Sequence, residues 1–186
     1  MSQDWTRLPE GLPVPQDDGA CAHLVGRKVP KIALDSSGGG AVDLADQRGR
    51  TVVYVYPRIG QPGQPLPTGW DAIAGARGCT PESLGFAAAA QQFEEANVGL
   101  FGLSSQDRPY QTEAARRLKL PFLLLSDHEL RFSHALSLPL FAVDGMTLIR
   151  RLTLVLKDGV IEHVFYPVFP PDSHAAEVLA WLQERA

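Results

Sequence analysis

The apolar pattern of this chain switches period several times, and each switch marks an element. Residues 1–29 show no period and are rich in Pro, Gly and Asp, which predicts an irregular arm. Short apolar runs over 31–34 and 41–44, joined by Gly38-Gly39-Gly40, predict a strand pair. Residues 51–56 (Thr-Val-Val-Tyr-Val-Tyr) are β-branched and aromatic without polar alternation, the pattern of a strand buried on both faces. The strand ends at Pro57, and residues 58–78 then form a long loop carrying Pro62, Pro65, Pro67 and five glycines. Thr80 suits a helix N-cap, Pro81 the first helical position and Glu82 the positive end of the dipole. Phe86, Ala90 and Phe93 then mark one buried helical face.

Further along, the spacing predicts a strand over 99–103, a helix over 109–119, a strand over 122–125 and a short helix over 127–136. Two strands over 148–156 and 160–168 meet at Lys157-Asp158-Gly159, an Asp-Gly hairpin turn. A last helix begins near Asp172, with Ala175, Val178, Leu179 and Leu182 on one stripe. The order is β-β-β-α-β-α-β-α-β-β-α, which predicts an α/β fold with a mixed sheet covered by helices on both faces. With one core and no internal repeat, residues 30–186 read as a single domain, preceded by the arm 1–29 and interrupted by the inserted loop 58–78.

Composition narrows the functional classes. The chain has 186 residues, 45% apolar and 20% charged, which is globular. Seventeen Lys and Arg against 21 Asp and Glu give a net charge of −4, which argues against nucleic-acid or anionic-membrane partners. No apolar run is long enough to span a bilayer. The start, Met1-Ser2-Gln3-Asp4-Trp5, has neither a basic nor an apolar leader segment, so the expected location is cytoplasmic. Two cysteines are too few for a disulfide framework or a four-cysteine zinc site. His128 and His134 stand six apart and do not share a helix face as paired metal ligands do, so neither a metal nor a cofactor is expected.

Cys79 stands out because it lies at the predicted start of the helix that follows a buried strand and a long loop. Free amides and the helix dipole there favour an anion. Holding a thiol ionised at neutral pH, from its reference value of about 8.5, takes roughly 3 kcal/mol. A helix end supplies at most about 2 kcal/mol, so a cation from another element is needed. Arg77 reads as exposed. Arg151 is the better candidate, because it opens a buried strand and alternation places it, not Arg150, on the face of Thr153 and Val155.

Five segments in order now carry a resemblance: Tyr56-Pro57 at a strand end, Gly78-Cys79-Thr80-Pro81-Glu82 opening a helix, Phe101-Gly102-Leu103-Ser104-Ser105-Gln106-Asp107, Leu120-Pro121-Phe122-Leu123-Leu124-Leu125-Ser126-Asp127, and Arg151-Leu152-Thr153-Leu154-Val155-Leu156-Lys157-Asp158-Gly159-Val160-Ile161. Together they resemble the peroxiredoxins, closest to the Q-type (bacterioferritin comigratory protein) branch. The resemblance implies a thioredoxin-like fold and reduction of hydrogen peroxide or organic hydroperoxides. It implies Cys79 as the peroxidatic cysteine, oxidised to a sulfenic acid, and Arg151 as the active-site arginine. It also implies an external thiol reductant of the thioredoxin or glutaredoxin kind.

The chain departs from the family motif Pro-x-x-x-Thr/Ser-x-x-Cys. Ala76 stands three before Cys79 and Ala72 seven before, while Pro57 lies 22 residues upstream, so an insertion of about 15 residues interrupts the motif. Thr68 restores the hydroxyl if the loop folds back. Leu84 stands where the Q-type branch often places a resolving cysteine. Cys21, in an arm that reads as mobile, is then the internal candidate for resolving the sulfenic acid, against direct attack by an external thiol. Trp70 either lines a substrate entrance or anchors the loop. The apolar run Phe165-Tyr166-Pro167-Val168-Phe169 is core or a homodimer contact. Two other readings share this fold: a thiol–disulfide oxidoreductase, against which the lack of a Cys-x-x-Cys counts, and a non-catalytic redox sensor or binding module.

Overall fold

The computed structural model describes residues 6–185; Met1-Ser2-Gln3-Asp4-Trp5, the start of the expected arm, lies outside them. Nine strands and four helices follow the arm: β1 (Ala33–Ser36), β2 (Ala41–Asp43), β3 (Arg50–Val55), α1 (Cys79–Glu95), β4 (Gly99–Ser104), α2 (Arg108–Leu118), β5 (Leu123–Ser126), α3 (Arg131–Leu136), β6 (Leu140–Val143), β7 (Met146–Ile149), β8 (Leu152–Lys157), β9 (Val160–Phe165) and α4 (His174–Gln183). The main sheet has the order β2-β1-β5-β4-β3-β8-β9, parallel through β3-β4-β5 and antiparallel elsewhere, and β6-β7 form a separate ribbon. This is the expected thioredoxin-like α/β arrangement.

The central strands are apolar throughout because both sheet faces are covered. Val53 and Val55 face one core, which α3 closes with Phe132 and Leu136 and the arm with Cys21, Leu24 and Val29. Val52 and Tyr54 face the other, beneath Phe86 and Phe93 of α1, Ala114 of α2, and Val178 and Leu182 of α4. Tyr54 joins α1 to β3: its ring stacks on Phe86 at 4.4 Å and its hydroxyl donates to Ser83 Oγ at 3.1 Å.

Four expectations are corrected. The run 148–156 is two strands on two sheets, since the chain leaves the β6-β7 ribbon at Ile149 and joins the main sheet at Leu152; period-two alternation cannot show that the partner changes midway. The helix over 127–136 starts only at Arg131, because the Asp127 carboxylate accepts from the N–H groups of Phe132 and Ser133 and from Ser133 Oγ. Helix α1 starts at Cys79, capped by Gly78 at φ +102 rather than by Thr80. The arm around Cys21 is packed, not loose: Cys21 is only 6% exposed, within the core beneath α3.

The loop 58–78 builds a small core of its own. Trp70 and Ala76 pack against Val143 and Leu148 of the ribbon, with Leu66 and Ile73 at the edge. Of the 165–169 run, Val168 is buried, Tyr166 donates to the Asp18 carboxylate of the arm at 2.9 Å, and Phe169 is exposed. Among the described residues no helix is long and apolar enough to cross a membrane.

Candidate active site

Three element ends meet at Cys79. Strand β3 runs antiparallel to β8 with Val55 opposite Leu152, so the residue before β8, Arg151, falls beside the exit of β3. Its parity with Thr153 and Val155 turns the side chain toward α1, as alternation predicts. The start of α1 brings the third component, Cys79.

The Arg151 guanidinium is almost fully enclosed, at 3% exposure, and every nitrogen is used. Nη2–H donates to Cys79 Sγ at 3.2 Å and to the carbonyls of Ala76 and Arg77 at 3.3 and 3.0 Å. Nε–H donates to Gly75 O at 3.3 Å, and Nη1 pairs with Glu82 Oε2. The loop end 75–77 therefore supplies carbonyls to the arginine, which explains how Ala72 and Ala76 can stand where the motif has polar or rigid residues without the arginine losing its place.

A second donor reaches the sulfur. The N–H of Arg58, one residue past Pro57, donates to Cys79 Sγ at 3.4 Å. That backbone is held by Gln106, whose amide nitrogen donates to Ile59 O at 3.1 Å and whose amide oxygen accepts from Ile59 N–H at 2.9 Å. The two bonds replace the strand partner that β3 has lost beyond Tyr56. Glu82, Gln106 and Arg58 were not singled out by sequence reasoning as site residues. The sequence marks Glu82 only as a partner of the helix dipole, and Gln106 carries no local sign of a role. Only Arg58 carried a signal, its place directly after Tyr56-Pro57.

Burial and charge act on the sulfur in opposite directions. Burial pushes the Cys79 thiol above its ordinary value, ahead of the downward pull of Arg151, while Glu82 adds a push in the same upward direction. Glu82 is fully buried, and its carboxyl is raised from 4.5 to about 7, because desolvation outweighs the attraction of Arg151. One cation thus faces two groups that compete to be the anion. The helix end alone does not ionise the sulfur. What the site offers is a charge whose partner depends on whether Glu82 holds its proton.

Cys79 is 3% exposed and lines a narrow cleft of about 30 Å³. The loop 58–78 supplies much of the wall, including Gln61, Leu66 and Trp70, and Arg7 of the arm reaches it too. Trp70 therefore both lines the entrance and anchors the loop. Thr68 does not restore the hydroxyl: it is exposed, is absent from the cleft wall, and donates its backbone N–H to Asp144 at 2.6 Å. Arg77 is not exposed as expected; its side chain is 10% exposed, pairs with Asp71 at 3.2 Å and lines the cleft. Cys21 is not brought to Cys79. It packs with Val53 and Val55, on the opposite face of β3 from the core that contains Cys79, and burial pushes its thiol up to about 12. Among the described residues no cluster of His, Cys, Asp and Glu is arranged to hold a metal.

Comparison with known proteins identifies relatives of the chain. The sequence pattern of the Redoxin family matches residues 24–179. The chain is 32% identical to the chloroplastic peroxiredoxin Q of Oryza sativa subsp. japonica over 98% of this chain and 80% of that one. Among solved structures it resembles the peroxidoxin BcpB of Mycobacterium tuberculosis, with TM-score 0.70, 24% identity, and coverage of 88% of this chain and 99% of that one. It also resembles the bacterioferritin comigratory protein of Xanthomonas campestris, studied for its alkyl peroxide reduction activity, with TM-score 0.67, 23% identity, and coverage of 94% and 98%. The two solved structures share the fold. By the extent of the family match and its identity to the rice protein, the chain belongs to the redoxin family, within its peroxiredoxin Q group of thiol peroxidases.

Proposed function

We propose that Cys79 is the peroxidatic nucleophile, Arg151 the cation that holds both its thiolate and the peroxide, and hydrogen peroxide or an organic hydroperoxide the substrate. The observation that carries this is the Arg151 Nη2 to Cys79 Sγ contact of 3.2 Å, at a residue that lines the cleft. The thiolate attacks one peroxide oxygen, the O–O bond breaks, and the departing oxygen leaves as water or alcohol after taking a proton. Cys79 becomes a sulfenic acid. The Arg58 N–H and the Arg151 fork are preformed donors where negative charge passes from sulfur to the leaving oxygen. Glu82 and Gln106 are positioning residues: the first fixes the guanidinium, the second the Arg58 backbone.

Support for an organic hydroperoxide comes from the Xanthomonas relative's alkyl peroxide reduction and from the apolar wall at Leu66 and Trp70. On this reading residues 30–186 act as one catalytic unit, with the arm and the 58–78 loop as additions to it. Separation of Cys21 from Cys79 across the sheet favours an external thiol as reductant, in a reducing compartment such as the cytoplasm. A homodimer formed through the 165–169 run has Phe169 as its exposed contact.

The test is sulfenic acid trapping. One equivalent of hydrogen peroxide followed by dimedone should label Cys79 in the intact protein, and Cys79→Ser should remove the label. An unlabelled wild-type protein, or a label that persists in Cys79→Ser, overturns the assignment.

A further inference from the structure

The cleft has a charge pattern that the peroxide does not require. Among the described residues three arginines line it (Arg7, Arg58 and Arg77) and not one Asp or Glu, although the chain as a whole carries a net charge of −4. Arg77 has Asp71 as counter-ion at 3.2 Å. Arg58 is different. It is half-buried, its guanidinium lies 5.1 Å from the Tyr110 ring centroid, and its remaining contacts are the Tyr110 hydroxyl at 3.4 Å and Met146 Sδ at 3.7 Å. Among the described residues it has no carboxylate partner. A guanidinium withdrawn from water against an aromatic ring is costly until an anion completes it. Arg58 and Cys79 line the same cleft, so an anion that Arg58 binds there shares the space in front of the reacting sulfur.

The reaction cycle needs such a molecule. After oxidation the sulfenic acid must be resolved by a thiol, and the chain supplies none nearby. Leu84 stands in the fifth position after Cys79, and Cys21 lies in the core on the other face of β3. Cys79 lines the cleft, so a small thiol that enters it meets the sulfur there.

Resting on the peroxidase reading above, we propose that the cleft is the binding site of a low-molecular-weight thiol bearing a carboxylate, and that Arg58 is the residue that binds this carboxylate. Its thiolate sulfur attacks the Cys79 sulfur, an S–S bond forms, the S–O bond breaks, and hydroxide leaves with a proton as water. A second molecule of the same thiol attacks the outer sulfur of this mixed disulfide and releases Cys79 as thiolate with the small-molecule disulfide. Two thiols are oxidised to one disulfide, and one sulfenic acid is reduced.

The experiment begins with dimedone labelling after one equivalent of hydrogen peroxide; failure there defeats the peroxidase reading itself. The oxidised protein is then mixed separately with mercaptopropionate, mercaptoethanol and cysteamine, which differ in charge. The mixed disulfide at Cys79 is followed by intact mass spectrometry, with each rate divided by the thiolate concentration. The anionic thiol should exceed the cationic one by about tenfold or more in the wild type, the lower end of what one charge-assisted hydrogen bond contributes. The preference should vanish in Arg58→Gln and survive in Arg58→Lys. Equal rates for the three thiols, an unchanged preference in Arg58→Gln, or an internal Cys21–Cys79 disulfide formed before any adduct overturns the proposal. So does a result in which Arg58→Gln slows only oxidation by a carboxylate-bearing hydroperoxide, since the anion recognised is then the peroxide.

Discussion

Glu82 gives the sharpest physical test of the site, because its proton ties folding to the charge at the sulfur. The buried carboxyl keeps its proton up to about pH 7, whereas in the unfolded chain it ionises near 4.5. Between these values the folded protein binds the extra proton, so stability from this group is complete below 4.5 and is lost as pH rises toward 7. The full width corresponds to about 3 kcal/mol. Glu82→Gln keeps the size and a hydrogen-bonding oxygen for Arg151 but cannot titrate. Urea unfolding of both proteins between about pH 4 and 8 gives the difference in unfolding free energy, wild type minus variant. That difference should fall by about 3 kcal/mol across the window and flatten above it. Burial holds the His174 ring neutral by lowering its pKa, so its stability is lost in the opposite direction, as pH falls. Both proteins contain His174, so its effect cancels in the difference. A flat difference, or one that grows with pH as for a carboxyl lowered by its arginine, refutes the idea that burial outweighs Arg151 at Glu82.

Two further predictions concern the frame around the site. Gly78 sits at φ +102, and an added Cβ would come within 2.3 Å of Pro171 Cγ and 2.7 Å of Leu8 Cδ2. Gly78→Ala should lower stability by about 2 kcal/mol and slow the peroxide reaction by displacing the start of α1, read by thermal melting and stopped flow. Cys21→Ser should lower stability by about 1–3 kcal/mol, through an unpaired hydroxyl in the core beneath α3, while leaving dimedone labelling of Cys79 intact.

Much of this architecture was legible in the sequence for simple reasons. Residues 51–56 announced a strand buried on both faces, and two-residue alternation separated Arg151 from Arg150 and turned it toward α1. What escaped was tertiary. Nothing local marks Glu82 as buried, because a first-turn acid on an exposed helix has the same sequence. Gln106 acts through a backbone 47 residues away, a relation no local pattern carries. Strand β6 (Leu140–Val143) is a short apolar run that pairs with β7 alone among the described residues, and it gives no separate signal. Cys21 was misread because its neighbours Asp17, Asp18 and Gly19 are polar or small, while the core it fills is contributed by isolated side chains without a period. The desolvation of Cys79 escapes for the same kind of reason: it depends on the surrounding loop, which the sequence shows only as an insertion.

The most direct measurement is the second-order rate constant of the reduced protein with hydrogen peroxide, for wild type and Arg151→Met, followed by tryptophan fluorescence, to which Trp70 in the cleft wall contributes. Losing one charge-assisted bond to the thiolate, about 2 kcal/mol, should slow Arg151→Met by about 30-fold at neutral pH, with Arg151→Lys between the two. An Arg151→Met rate within about twofold of wild type contradicts the claim that this arginine makes the sulfur reactive.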